Sequence, residues 1–284
     1  MKVYLGNESS QQLGGGFTFL RNFRKALDDK VEFVNTWEAC DVFFISGATM
    51  VTRELVEQVK KAGKKIVLRV DNIPKNSRNR NTGTSRLYEF AQMADTVIYQ
   101  SEWCKDYVGA FIKRDGEIII NGCDQDIFKP KGVSEPKDAD TVYMYSRYNR
   151  DETKHWDVAW YDYQMKWRKD KDISLWIVGQ FSPEQVEYNF DFYMDERYKF
   201  YGVIAEQERM AELYRGADVF MYTYFNDACS NTALEAISCG MKIEYENETG
   251  GAKDIKIANE SNDIEYFGLE RMGDEYLQAI KEIE

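Results

Sequence analysis

The feature that most constrains this chain is an alternation, run through twice, of short apolar strand patterns with helical ones. Strand patterns fall at 2–6, 31–35, 41–46, 65–70, 96–100 and 117–120, with helical patterns at 17–27, 53–62, 85–94 and 102–110 between them. The runs Val-Phe-Phe-Ile, Ile-Val-Leu and Ile-Ile-Ile are apolar without alternation, as strands covered on both faces must be. A polar stretch over 129–140, with Pro130, Gly132 and Pro136, interrupts the pattern. A second series follows: strands at 141–146, 174–178, 198–201, 218–222 and 242–245, and helices at 154–169, 207–215, 231–238 and 273–283.

Strands alternating with helices predict parallel sheets covered by helices on both faces. The expectation is therefore an α/β protein of two Rossmann-like domains facing across a cleft. The N-terminal domain covers 1–128, a linker 129–140, and a C-terminal domain 141–284. The last helix can return to the N-terminal domain. A length of 284 residues suits two such domains. Ligands of open parallel sheets bind beyond the strand C-termini, which is where the chemistry is sought.

Charge narrows the partners. The chain carries a net −12, which argues against general polyanion binding. From Lys60 to Phe90, however, nine Lys and Arg face two acids, a local +7 that leaves −19 elsewhere. Five cysteines (Cys40, Cys104, Cys123, Cys229, Cys239) include no Cys-x-x-Cys pair, which favours a reduced, cytoplasmic protein over a disulfide framework or a thiolate metal site. The start reads directly into a strand, and no apolar run approaches a bilayer span of about 18 residues, so neither a signal peptide nor stable membrane insertion is expected. No pattern in the chain specifies an oligomeric state.

Several motifs carry candidate chemistry. Gly14, Gly15 and Gly16 stand between the first strand and the first helix, where backbone N–H groups can approach an anion; a flexible turn is the alternative. The stretch from Asn121 to Pro130 runs into the linker. Ser146-Arg147 ends the first strand of the second domain, with Lys154 seven residues on; two cations there suit a diphosphate leaving group, or are ordinary surface charges. Leu175 to Gln180 reads as scaffold. The segment from Asp227 to Gly240 places two carboxylates, Asp227 and Glu235, about a helix start that Ser230 or Asn231 can cap. An N-cap with an ordinary exposed Glu is the alternative.

Taken in order, these pieces resemble the GT-B glycosyltransferases, specifically the retaining group called family 4, and the compact size and the 69–86 segment look similar to phage-type members. The matches are Gly14–Gly16, Asn121/Gly122/Asp124/Phe128/Pro130, Arg147/Lys154 and Asp227/Glu235/Ala236/Gly240. The resemblance implies transfer with retention from a nucleotide-sugar, UDP-linked by default, with no cofactor and no required metal. It gives Arg147 and Lys154 the departing diphosphate, Glu235 the ribose, Asp227 the donor sugar, and the backbone at Gly15 and Gly16 the phosphates or sugar.

The chain departs from that pattern in three places. The first carboxylate is Asp, not Glu. Gly240-Met241-Lys242 replaces the usual Gly-x-Pro. The sole histidine, His155, lies in the second domain, where relatives place one in the first. Asp71, ending the strand at 65–70, is the replacement candidate near the acceptor; a turn-forming Asp-Asn pair before Pro74 is the other reading.

The basic strip bears on the acceptor. Arg69, Lys75, Arg78, Arg80 and Arg86, with Asn and Ser between them, are residue types that contact phosphates and base edges, and Tyr88, Phe90 and Trp103 can stack on bases if exposed. The first expectation is a hydroxymethylated pyrimidine in DNA, with DNA as a partner. The second is a polysaccharide or lipid-linked glycan. A non-catalytic nucleotide-sugar or nucleic-acid binder is the third.

Overall fold

The computed structural model describes residues 1–6, 14–74, 81–147, 154–181, 197–246 and 249–283, with backbone alone at 81 and 82. The chain divides into two compact units. The N-terminal unit comprises Met1–Cys123, Asn226–Asn231 and Gly250–Glu284; the C-terminal unit comprises Asp124–Phe225 and Thr232–Thr249. Residues beyond 249 thus belong with the N-terminal unit.

In the N-terminal unit the strands are β1 (Lys2–Leu5), β2 (Glu32–Phe33), β3 (Val42–Ile45), β4 (Lys65–Val70), β5 (Thr96–Tyr99) and β6 (Glu117–Ile118). They form one sheet in the order β2-β1-β3-β4-β5-β6, and every described pairing is parallel. The helices are α1 (Gly15–Leu27), α2 (Arg53–Lys61), α3 (Asn81–Met93) and α4 (Glu102–Ile112).

Successive side chains of a strand point to opposite faces, and the core obeys that rule. Val42 and Phe44 of β3 join Phe19, Phe23, Tyr276 and Ile280 on one face. Phe43 and Ile45 join Val56, Leu87, Phe90 and Val108 on the other. The first face is aromatic: the Phe23 ring stacks on Phe44 at 4.2 Å and meets Tyr276 edge-on at 5.1 Å.

The C-terminal unit holds β7 (Thr141–Arg147), β8 (Ile173–Gly179), β9 (Tyr198–Gly202), β10 (Val219–Tyr222) and β11 (Lys242–Tyr245), again parallel, in the order β11-β10-β7-β8-β9. Its helices are α5 (Trp156–Lys169), α6 (Gln207–Gly216) and α7 (Asn231–Ser238), the last beginning on a residue grouped with the N-terminal unit. Helices α8 (Ala252–Ser261) and α9 (Leu269–Lys281) complete the N-terminal unit.

The stretch over 129–140 is tied down within the C-terminal unit. Arg215 Nε donates to the Val133 carbonyl at 2.6 Å, and Arg209 pairs with Glu135 at 2.7 Å. Asp138 accepts from Trp176 Nε1 at 2.9 Å and from Ser174 Oγ at 3.0 Å, which satisfies two polar groups the sheet has buried.

Local rules account for several element ends. Ser101 Oγ accepts from Cys104 N and caps α4, whose first N–H also donates to Asp254 of α8. Helix α4 stops at Lys113 in the left-handed region, φ 55°, before the expected breaker Gly116. Among the described residues no helix is long and apolar enough to cross a membrane.

Helices α1 and α9 approach closely at Gly273. A Cβ there would stand 2.6 Å from the Ala26 carbonyl oxygen and 3.0 Å from its Cβ. Gly273→Val forces these helices apart and is expected to lower stability by about 1–3 kcal/mol in chemical denaturation. Wild-type stability in that variant would contradict the packing described.

Candidate functional site

The C-terminal edge of the second sheet gathers the two cations predicted for the diphosphate. β7 and β8 pair in register, with Ser146 opposite Val178 and Arg147 opposite Gly179. Gly179 has φ +135°, and a Cβ on it would lie 1.7 Å from the Arg147 carbonyl oxygen, so this position admits only glycine. Arg147 is buried; its Nε donates to the Gln180 carbonyl at 3.2 Å, and its guanidinium lies 4.1 Å from the centre of the Phe181 ring. The ring face stabilises a desolvated cation and fixes the plane of its donors.

Lys154 is placed by its backbone and by its head group. The Tyr145 hydroxyl donates to the Lys154 carbonyl at 3.1 Å. Thr223 Oγ1, just beyond β10, lies 2.9 Å from the same oxygen and 3.1 Å from the His155 carbonyl. His155 takes the left-handed conformation, φ 47°, and α5 begins after it. The ammonium stands 4.0 Å from the centre of the Tyr224 ring. Tyr145 is fully enclosed, and desolvation drives its phenol well above the ordinary range, so the hydroxyl keeps its proton and remains a donor.

Glu235 lies one turn into α7 and is only 3% exposed. Its Oε2 accepts a hydrogen bond from the buried Tyr214 hydroxyl at 3.2 Å. The Tyr214 ring meets Phe128 edge-on at 6.1 Å, so the Phe of the Asn121–Pro130 motif supports the residue that holds the carboxylate. The exposed Glu of the alternative sequence reading is excluded by this burial.

The remaining predicted residues belong to the N-terminal unit. Gly14 has φ +128° and precedes α1, which starts at Gly15; Gly16 lies in its first turn, 3.1 Å from the Met50 sulfur by its notional Cβ. Asn231 Nδ2 donates to the Gly15 carbonyl at 3.2 Å, and Asn121 Nδ2 donates to Asn231 Oδ1 at 2.9 Å and to Gln100 Oε1 at 3.0 Å. Ser230 is buried beside them in sequence. Asp71 is half-buried and accepts from the Asn72 N–H at 2.9 Å, the local geometry of the turn-forming alternative. Asn72 in turn donates to the Asn226 carbonyl at 2.6 Å. Asp227 is half-buried, and its carbonyl accepts from Gly251 N at 2.7 Å. Asp227 and Glu235 fall in different units.

Arg69 departs from the surface strip to which its sequence position assigned it. It is 3% exposed, donates to the Ser46 carbonyl at 3.0 Å, to Asn121 Oδ1 at 3.3 Å and to Gln100 Oε1, and stacks 3.7 Å from the Phe19 ring centre. No carboxylate pairs with it among the described residues. Its strand position, between buried Leu68 and Val70, turns it into the sheet's end. Arg86 Nη1 donates to the Val51 carbonyl at 3.4 Å. Lys75, Arg78 and Arg80 lie outside the described residues. Phe90 is fully buried and unavailable for stacking, whereas Tyr88 is 43% exposed.

Tyr145, Tyr214, Tyr224 and Phe181 escaped the sequence reading because no spacing marks a buried aromatic as anything but core, and Thr223 because a lone hydroxyl at a strand end carries no pattern. Burial also raises the thiols of Cys104, Cys229 and Cys239 to about 12, so they stay protonated and unreactive near neutrality. Among the described residues no three His, Cys, Asp or Glu side chains converge as a metal site.

Residues 139–253, which contain Arg147, Lys154 and Glu235, match the family model described as Glycosyl transferases group 1. Over that stretch the chain is similar to a group 1 glycosyltransferase domain. A search of the curated proteins finds no match. Among solved structures, the chain resembles Anabaena Alr3699/HepE in complex with UDP (14% identity, 99% of each chain covered, TM-score 0.68). It also resembles the sucrose-phosphate synthase of Thermosynechococcus elongatus (16% identity, 99% of this chain and 96% of that one, TM-score 0.63). A third is the catalytic domain of Starch Synthase IV from Arabidopsis thaliana bound to ADP and acarbose (12% identity, 99% and 90%, TM-score 0.64). At these identities the likeness is one of fold, and the fold is GT-B: two Rossmann-like α/β units.

Tyr214→Phe removes a donor to the buried Glu235 carboxylate and is expected to cost about 1–3 kcal/mol of folding stability. Urea titration of the two proteins checks this, and superimposable curves would contradict the hydrogen bond.

Proposed function

We propose that this glycosyltransferase takes a sugar from a nucleotide-sugar, UDP-linked by default, and passes it to an acceptor hydroxyl with retention and without a required metal. One observation carries the donor assignment: Arg147 and Lys154 are held at the same sheet edge, each against an aromatic ring, in the unit that also buries Glu235. As the bond from sugar to diphosphate breaks, negative charge grows on the leaving oxygens. Fixed cations offset that charge without having to reorganise. Arg147 supplies a planar fork of donors and Lys154 a point charge. Glu235 takes the ribose diol, as a carboxylate accepting hydroxyl hydrogens. Asp227 orients the donor sugar, the Gly14–Gly16 backbone approaches the phosphates or sugar, and Asp71 faces the acceptor hydroxyl. Solved structures of similar fold contain UDP or ADP, which supports a nucleoside diphosphate as the leaving group.

For the acceptor, the first reading remains a hydroxymethylated pyrimidine in DNA, as in phage-type members of the resembled group. Lys60 is paired with Asp95 at 3.4 Å and Lys64 donates to the Cys40 carbonyl at 2.6 Å, so this reading rests chiefly on Lys75, Arg78 and Arg80. A specific observation favours the second reading, a glycan. Trp103 and Tyr107 of α4 stack at 5.0 Å, and Tyr88 of α3 meets Phe111 edge-on at 6.3 Å. Tyr107 and Tyr88 are exposed, and the exposed carboxylates of Glu102 and Asp106 beside them repel phosphate while accepting sugar hydroxyls.

The test offers purified protein UDP-hexoses with hydroxymethylcytosine DNA or with glycan primers, and follows the anomeric product by NMR. Transfer with the donor's anomeric configuration supports the proposal, and the accepting polymer decides between the two acceptors. Donor binding without turnover on any acceptor would favour the non-catalytic reading. Arg78→Ala combined with Arg80→Ala is expected to abolish most DNA transfer while sparing UDP affinity; full DNA transfer by that variant removes the strip from acceptor recognition. Glu235→Ala is expected to weaken UDP binding by about 10- to 100-fold in calorimetric titration. An unchanged affinity would remove Glu235 from the donor site.

A further inference from the structure

Tyr224 touches more of the donor-side elements than any motif of the sequence foretold. It directly follows Thr223 at the end of β10 and is 1% exposed. Its hydroxyl donates to the Ser146 carbonyl, immediately before Arg147 on β7. The same oxygen lies 3.2 Å from Thr232 Oγ1, in the first turn of α7. Its ring face carries the Lys154 ammonium at 4.0 Å, and its edge packs on Tyr145, the residue that grips the Lys154 carbonyl. One side chain thus joins the strand end bearing Arg147, the turn bearing Lys154 and the helix bearing Glu235.

A long, flexible lysine loses rotamer freedom when it is fixed, so an unsupported ammonium would sample many positions before meeting a phosphate. An aromatic face within about 6 Å gives it a preferred one. The clamp on the backbone acts in the same direction. Thr223 and Tyr145 hold the carbonyls of Lys154 and His155, and His155 holds the left-handed turn that sends α5 away from the edge.

We propose that Tyr224 is a positioning residue: its ring presents the Lys154 ammonium to the donor diphosphate, with its hydroxyl locking that ring to the ends of β7 and α7 and Thr223 clamping the Lys154 turn. The proposal rests on the reading of Lys154 as a diphosphate ligand. Its effect on the diphosphate runs through Lys154. Replacing the ring removes the seat of the ammonium; replacing only the hydroxyl loosens the seat and leaves it in place.

The test is a double-mutant cycle with UDP as the probe, alongside acylation of Lys154 by an acetylating ester read by mass spectrometry of its peptide. Tyr224→Leu is expected to weaken UDP binding about 10-fold, and Tyr224→Phe about 3-fold. Adding Tyr224→Leu to Lys154→Ala is expected to weaken binding no further than Lys154→Ala alone, because the ring acts through the ammonium. Acylation of Lys154 in the absence of UDP is expected to rise about 3-fold in Tyr224→Leu as the ammonium leaves its seat. Thr223→Val, nearly equal in volume, provides the same cycle should Tyr224→Leu fail to fold, with a loss of about 3-fold that Lys154→Ala again absorbs. Multiplicative losses in either cycle, or an unaltered Lys154 acylation rate in a folded Tyr224→Leu, overturn the proposal. Lys154→Ala with wild-type UDP affinity overturns the donor reading of Lys154 instead, and the acylation rate then still reports whether the ring holds the ammonium.

Discussion

Parallel strand pairing is the constraint from which the rest of this structure follows. A parallel neighbour cannot be reached by a tight turn, so each strand is followed by a crossover that must pack on the sheet. The crossovers bury both faces, and the strands become apolar on both sides. Chemistry is thereby driven out of the sheet and onto its ends. In the C-terminal unit Arg147 ends β7, Gly179 ends β8 and Thr223–Tyr224 follow β10, so these groups share one edge of the sheet.

The same constraint creates an electrostatic problem, since a sheet end brings charged groups into partly apolar surroundings. A buried charge must be compensated. Aromatic faces and neutral amides supply part of that compensation here. Arg147 rests on Phe181, Lys154 on Tyr224 and Arg69 on Phe19, with Gln100 and Asn121 accepting from Arg69. A ring compensates a cation without cancelling its charge. The rings under Arg147 and Lys154 thus steady these cations without taking up their charge. The high aromatic content of the sequence has part of its physical reason here.

Legibility in the sequence followed the same physics. The buried central strands stood out as continuous apolar runs because both of their faces are covered. The edge strands β2 and β6 are shorter than their patterns suggest, for Glu32 and Glu117 are exposed and pairing ends beside them. Helix α8 was not foreseen, since its buried face consists only of Ala252, Ile255 and Ala258. Helix α5 starts after His155 because a left-handed residue breaks the helical pattern that begins at Lys154, a conformation no propensity announces. Arg69 carried a usable signal: a lone cation inside the apolar run Ile-Val-Leu-Arg-Val is either a mistake in the strand or a buried, bonded charge. The aromatic supports of the site carried none, because Tyr145, Tyr214 and Tyr224 look like core in any one-dimensional pattern.

A crystal structure of the protein soaked with UDP tests most directly whether the C-terminal unit grips a nucleoside diphosphate. The diphosphate oxygens should lie within hydrogen-bonding distance of the Arg147 guanidinium and the Lys154 ammonium, with the ribose hydroxyls on Glu235. Clear density for UDP elsewhere on the protein, with those three side chains untouched, would contradict it.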